Sequence, residues 1–251
     1  MIDISVIIIT LNEERDLPRC LRSIPPGCEL IILDSMSSDK TEEIARSFGA
    51  QFYSRPFTNF SEQKNAALSY ASRSWVLALD ADEVLSPLLQ AELLRLAANK
   101  DEEKFAGYGL RRRLWFMGKR LRFGHSSDYP LRFFRRGLGH YILPIHERVE
   151  IAGRVGRLPY DLFHYSYRDL EDFLSKFNRY TSLAAAALAA KHNSPPLGFL
   201  IVFRALLSFW QRYLFRLGFL DGFAGFAHAF LGSCYIFIKY TKYRERALWR
   251  K

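Results

Sequence analysis

The strongest constraint on this chain is the repeated order of residues 4–85: an apolar run, a polar loop, a helix-like stretch, then the same again. Residues 4–10 (ISVIIIT) form a β-branched run, the composition of a buried strand. Residues 29–33 (ELIIL) form a second, ending in Asp34, and residues 51–54 a third, shorter one. Residues 75–79 (WVLAL) form a fourth, apolar enough to be buried on both faces. The intervening stretches read as helices at 17–24, at 41–48 with Asp39 as N-cap and Gly49 as terminator, and at 61–72 with Gln63, Lys64 and Asn65 near its start. Strands alternating with helices predict an α/β fold around a mostly parallel sheet flanked by helices. Ligands bind such sheets at the carboxyl ends of the strands. Thr10, Asn12, Asp34, Asp80 and Asp82 all stand there and are expected to line one crevice.

The fourth run ends in Asp80-Ala81-Asp82-Glu83. In an extended chain the two aspartates point to the same side, with Cα atoms roughly 6.6 Å apart. Their mutual repulsion is relieved by a cation, and hard carboxylate oxygens suit Mg²⁺ or Mn²⁺, which keep positions open for substrate phosphates. A competing reading has Asp82 or Glu83 capping a helix that starts near Ser86-Pro87. Residues 88–99 are an amphipathic helix. Residues 111–136 then hold nine Lys or Arg and one acid, Asp128, with aromatics interleaved. This stretch reads either as a solvated basic face or as a wall whose arginine forks meet phosphate.

A formal net charge of +10 points to an anionic partner, whether nucleic acid, acidic membrane or phosphorylated substrate. Three cysteines without C-x-x-C spacing predict reduced thiols and neither a zinc site nor disulfides. The first residues lack a basic n-region, so no signal peptide is expected. Residues 169–190 read as a helix with an alanine-rich end. Residues 197–238 are strongly apolar and aromatic, interrupted by Arg204, Arg212, Arg216, Asp221 and His228. The preferred reading is two amphipathic helices, 197–215 and 217–238, lying in a membrane interface with arginines reaching headgroups; a true span over 217–238 is the alternative. Residues 239–251 carry six Lys or Arg against Glu245, which favours anionic lipid and a cytoplasmic placement. The apolar helices could also pair with a second copy of the chain.

Between these regions lie His146-Glu147, directly after Pro144-Ile145, and His164-Tyr165-Ser166-Tyr167. A carboxylate in an anionic, partly dry cleft is pushed towards the working range of a general base, which makes Glu147 a candidate.

Several of these segments resemble one family. Thr10-Leu11-Asn12-Glu13-Glu14 resembles the opening loop of family 2 glycosyltransferases with the GT-A fold. Asp34-Ser35-Met36-Ser37-Ser38-Asp39-Lys40-Thr41 resembles their D-S-x-S-x-D-x-T segment, and Gln63-Lys64-Asn65 and Asp80-Ala81-Asp82-Glu83 match further on. The two histidine segments and the amphipathic C-terminus resemble the lipopolysaccharide inner-core β-1,4-glucosyltransferase subfamily, which glucosylates heptose.

The resemblance implies a GT-A catalytic domain over residues 1–168 and a C-terminal helical region over 169–251. It implies a UDP-sugar donor, a lipopolysaccharide-core acceptor, a divalent cation and a peripheral place on the cytoplasmic face of the inner membrane, with no nucleic acid among the partners. Asp34 would accept from the uracil or ribose, with Thr10, Asn12 and Glu14 bordering the base and Lys64 near the donor. Asp80 would hold ribose or metal, Asp82 would coordinate the cation, and His164 would add a ligand. Arg132 would stabilise departing UDP. Glu147, with Asp128 as the alternative, would deprotonate the acceptor for inverting attack. The sequence offers His-Glu where the family usually has Glu-Asp. Two rival readings are weaker. A nucleotidyltransferase usually begins with a glycine-rich loop, which residues 10–14 lack. A non-enzymatic basic membrane or nucleic-acid binder leaves the acidic strand ends unexplained.

Overall fold

The computed structural model describes residues 2–99, 104–143, 148–191 and 194–248. They form two compact units. The first comprises residues 1–112 and 128–164, the second residues 113–127 and 165–251.

In the first unit, β1 (Ile4–Thr10), α1 (Leu17–Arg22), β2 (Glu29–Asp34), α2 (Thr41–Ser47), β3 (Gln51–Ser54), α3 (Phe60–Ser69) and β4 (Trp75–Asp80) follow the expected alternation. The strands run in the order β3-β2-β1-β4, and all three pairings are parallel. Successive residues of β1 go to opposite faces, both buried. Ile4, Val6 and Ile8 join one apolar cluster and Ile7 the other. Leu77 and Leu79 divide from Val76 and Ala78 in the same way. Two buried faces leave no polar alternation, which is why these strands read as continuous apolar runs.

Beyond β4 the sheet turns antiparallel. The chain continues through β5 (Glu83–Leu85), α4 (Pro87–Ala98), β6 (Gly107–Phe116), β7 (Lys119–Arg120), β8 (Ser127–Asp128), β9 (Leu131–Arg135), β10 (Gly139–Ile142), β11 (Arg148–Ile151) and β12 (Val155–His164). The sheet path extends β4-β9-β6-β12-β5, with β4/β9, β9/β6 and β12/β5 antiparallel. Trp75 on β4 stacks on Phe133 of β9 with ring centroids 4.5 Å apart. β10 and β11 form a separate hairpin.

Two local expectations change. The helix after β5 is capped by Ser86, whose Oγ accepts from Leu89 N at 3.3 Å, so neither Asp82 nor Glu83 caps it. Three arginines of the basic stretch meet carboxylates, not an open wall: Arg111 reaches Asp161, Arg112 reaches Asp128 and Glu83, and Arg132 reaches Asp80 and Glu83.

In the second unit, α5 (Leu170–Lys191), α6 (Gly198–Trp210) and α7 (Gly222–Leu248) pack together. A π-turn at 211–215 and a 3₁₀ turn at 218–221 link the last two. α7 runs well past the expected end at Ile238, because Lys and Arg are good helix formers and Lys242 gains partners on α5. Its Nζ donates to Asn178 Oδ1 at 2.6 Å, Thr181 Oγ1 at 2.8 Å and Ser182 Oγ at 2.9 Å. Asp221 is buried. Its Oδ2 accepts from the amides of Arg122 and Phe123 at 2.8 and 2.9 Å, so it anchors a loop within this unit. The stretch Gly218–Leu248 is long and apolar enough to cross a membrane. α6 and α7 expose Phe199, Phe203, Trp210, Phe223 and Phe230.

Candidate active site

Register brings the polar strand ends of the first unit to one rim. Thr10 of β1 lies opposite Asp34 of β2, and Ile9 lies opposite Asp80 of β4. Asp34 is 2% exposed. Its Oδ1 accepts from Thr10 Oγ1 at 2.7 Å and Ser37 Oγ at 2.6 Å, and its Oδ2 accepts from Ser37 N at 2.6 Å.

The loops after β1 and β2 are laced together. Asn12, with φ 56°, donates its amide N–H to Ser37 Oγ at 2.7 Å and accepts from Ser38 N at 2.9 Å. Asparagine tolerates this left-handed backbone better than most residues. Glu14 donates its amide to Asp39 Oδ2 at 3.0 Å and accepts from Lys40 N at 3.2 Å. Burial works against ionised Asp39, but its bonds to Thr41 and the Glu14 amide outweigh that and leave its carboxyl below the usual range.

Gln63, Lys64 and Asn65 each pin α3 to a different segment. Gln63 Nε2 donates to Ser35 Oγ at 3.1 Å and Arg55 O at 3.2 Å. Lys64, 3% exposed, pairs with Asp80 Oδ1 at 2.9 Å. Asn65 both donates to and accepts from the backbone of Tyr141, each bond 2.8 Å.

Asp80 is therefore held on both sides. Lys64 takes one carboxylate oxygen, and Arg132 takes the other in a short contact. Burial raises its pKa, but the charges of Arg132 and Lys64 prevail, leaving it far below the ordinary carboxylate range. Arg132 also reaches Glu83 Oε1 at 2.9 Å. Glu83 is 0% exposed, accepts the Asp80 amide at 3.0 Å, and meets Arg112 at 3.3 Å. Arg112 in turn holds both oxygens of Asp128, at 3.0 and 2.7 Å. Asp80, Glu83 and Asp128 are thus matched by Lys64, Arg112 and Arg132.

Asp82 stands apart from this network. β12 pairs with β5 so that His164 lies opposite Glu83, which brings His164 Nε2 to 3.3 Å from Asp82 Oδ2. Burial disfavours the imidazolium of His164, but the hydrogen bond and charge of Asp82, helped by Glu83, raise its pKa. Among the described residues Asp82 meets no Lys or Arg, and no group of three or more His, Cys, Asp or Glu side chains could hold a metal.

The structure thus brings together Thr10, Asn12, Glu14 and Asp34 around one pair of loops, and Lys64, Asp80, Arg132 and Asp128 in one charge network. Asp82 and His164 form a pair beside it. Glu147 lies outside the described residues. Sequence reasoning missed Ser37, Glu83 and Arg112. Ser37 stood inside a quoted motif, and Glu83 was legible as the acid directly after Asp80-Ala81-Asp82. Arg112 gave no signal within a run of three arginines.

Residues 5–149 match the family model described as Glycosyl transferase family 2, and the chain belongs to that family. The lipopolysaccharide core biosynthesis glycosyltransferase LpsC of Rhizobium meliloti is 30% identical over 97% of this chain and 92% of its own. An uncharacterized glycosyltransferase of Rickettsia typhi is 27% identical over 98% of this chain and 88% of its own. Among solved structures, glucosyl-3-phosphoglycerate synthase from Mycobacterium tuberculosis, in complex with Mn²⁺, UDP and glucosyl-3-phosphoglycerate, is 30% identical over 44% of either chain, with a TM-score of 0.38. The protein is a glycosyltransferase enzyme, and its α/β sheet with flanking helices is the GT-A fold expected for it.

Proposed function

We propose that this enzyme moves a hexosyl group, glucose in the first instance, from a UDP-sugar to a heptose of the lipopolysaccharide inner core, with inversion at the anomeric carbon. The observation that carries the reading is the rim itself. A buried acceptor, Asp34, and a neutralised charge network around Asp80 share one edge of the sheet, and Asp82, which meets no Lys or Arg among the described residues, follows two residues after Asp80.

Asp34 keeps a lone pair on Oδ2 beyond its bond to Ser37, which suits a donor group of uracil or ribose. Thr10 and the laced loops at Asn12 and Glu14 fix that carboxylate and border the base. Lys64 and Arg132 act through Asp80, holding it in one orientation. This departs from a direct role for Arg132 on the leaving diphosphate, since the guanidinium is 6% exposed and shared between two carboxylates.

Asp82 and His164 offer an oxygen and a nitrogen donor, each about a quarter exposed. Mg²⁺ and Mn²⁺ are commonly held by one or two protein groups together with substrate phosphates, so this pair fits such an ion, whereas Asp80 is committed to its cations. The bound ion would supply charge neutralisation for the departing diphosphate. Glu147 is the proposed base for the acceptor hydroxyl. Asp128 is the weaker candidate because Arg112 occupies both of its oxygens.

The exposed aromatic faces of α6 and α7 and the basic C-terminal residues support peripheral attachment to the cytoplasmic face of the inner membrane. The division of labour is then a catalytic region over 1–168 and a membrane-facing region over 169–251.

The test is UDP release by the purified chain with a panel of UDP-sugars and two acceptors, one heptose-terminated lipid and one polyprenyl-linked glycan. Release with UDP-glucose and the heptose lipid is expected. Release only with the polyprenyl acceptor supports the second reading of the acceptor, and no release with any UDP-sugar overturns both.

A further inference from the structure

The second unit contains a cavity of about 170 Å³ unrelated to the rim described above, lined by Tyr167, Tyr180, Tyr235, Arg212, His228 and Gly232 among others. It is smaller than the roughly 300 Å³ at which pockets for drug-sized ligands begin, so it suits a compact headgroup.

Its charge is one-sided. Arg212 has no ion pair among the described residues, and burial alone depresses its pKa. Burial and the facing charge of Arg212 push His228 down to about 4, despite Asp221, so its imidazole is neutral at pH 7. Burial, together with Arg216 and Arg212, lowers the pKa of His125, and Arg216 adds further positive charge nearby. Asp221 acts on His228 and Asp172 on Tyr167, but Asp221 Oδ2 is already bonded to two backbone amides and Asp172 pairs with Lys176 at 3.0 Å.

The guanidinium also has a built seat. A methyl group placed on Gly232 would lie 3.0 Å from Arg212 Cζ and 3.1 Å from its Nε and Nη1. The absent side chain on α7 is what lets the planar fork lie there. Three tyrosines, Tyr167, Tyr180 and Tyr235, contribute to the lining. An arginine fork without an ion pair, in a cavity lined by polar aromatic residues, is phosphate-binding chemistry. The exposed phenylalanines of α6 and α7 belong to the same unit, which makes a membrane lipid the source of that phosphate.

We propose that Arg212, seated on Gly232 in a cavity lined by His228 and three tyrosines, binds the phosphomonoester headgroup of a membrane lipid. This rests on the reading of α6 and α7 as membrane-facing.

The test is flotation of the full chain with phosphatidylcholine vesicles containing phosphatidic acid or phosphatidylglycerol, matched for surface potential. The wild type is expected to prefer phosphatidic acid by about tenfold, the worth of one or two charge-assisted hydrogen bonds. Arg212→Gln should abolish the preference, and Gly232→Ala, which pushes the guanidinium off its seat by a few tenths of an ångström, should weaken it. The second keeps the charge and only displaces a flexible side-chain end, so it guards against misfolding as the cause. Arg216→Gln, which removes the same charge outside the cavity, should keep it. Inorganic phosphate should compete the preference away.

The proposal is overturned if the wild type shows no preference, or if Arg216→Gln loses as much as Arg212→Gln. It is overturned as to source if inorganic phosphate stabilises the wild type but not Arg212→Gln while the two vesicle types bind alike. Flotation that survives deletion of residues 197–251 defeats the membrane-facing reading instead. Intact flotation without headgroup preference defeats only this inference.

Discussion

Replacing Glu83 with alanine is expected to destabilise the first unit more than any change at the exposed rim. Glu83 is 0% exposed and accepts from Arg132 at 2.9 Å, Arg112 at 3.3 Å and the Asp80 amide at 3.0 Å. Alanine leaves Arg132, itself 6% exposed, with Asp80 as its one remaining carboxylate partner among the described residues, and it strands the Asp80 amide. Breaking a buried pair by removing one partner costs about 3–5 kcal/mol. An unsatisfied amide costs about 1–3 kcal/mol, part of which the first figure already contains. A loss of about 4 kcal/mol follows, a large share of a net stability of about 5–15 kcal/mol. Glu83→Gln retains an acceptor for the amide and should lose less, about 1–3 kcal/mol. The assay is chemical denaturation, with hydrogen exchange of the β4 and β5 amides as the local probe. Combining Glu83→Ala with Arg132→Met should cost about 1 kcal/mol or more less than the sum of the single changes, since both act on one network. If Glu83→Ala unfolds within about 1 kcal/mol of the wild type, the network does not hold the rim together.

Asp34→Asn weakens the bonds that order the two laced loops; it should lower UDP affinity at least tenfold by calorimetry, and unchanged affinity would remove Asp34 from the nucleotide site. His228 makes the second unit acid-sensitive. Its folded pKa of about 4 lies below the ordinary 6.5, so between those values the unfolded chain binds a proton that the folded chain refuses. Stability is full above about pH 6.5 and falls by about 3 kcal/mol as pH drops towards 4; His228→Gln should flatten that fall in thermal unfolding at pH 7 and pH 4.5. Deleting residues 197–251 should abolish flotation with anionic liposomes, and equal flotation of both chains would contradict interfacial attachment.

The parallel half of the sheet was legible because burial on both faces leaves an unbroken apolar run. Ile4, Val6 and Ile8 and their neighbours announce a strand whatever surrounds them. The antiparallel half was not, because β9 and β12 carry charged residues such as Arg132 and Asp161 that are buried only through partners distant in sequence. The same reason hid the network. Arg132 looks like a phosphate ligand until Asp80 and Glu83 are seen on it, and Asp128 looks like a free base until Arg112 closes on it. Asp34 and Asp80 were legible from position alone, since a polar residue ending a buried strand has only the rim to face. The end of α7 was misjudged because the apolar pattern stops near Ile238, while the helix is carried onward by propensity and by the contacts of Lys242.

The most direct measurement is the affinity of UDP for the full chain with and without Mn²⁺, in the wild type and in Asp82→Ala. Mn²⁺ should strengthen UDP binding at least tenfold in the wild type and leave Asp82→Ala, folded by circular dichroism, unaffected. The same Mn²⁺ enhancement in both proteins would show that Asp82, just after the fourth strand, is not where the cation meets the diphosphate.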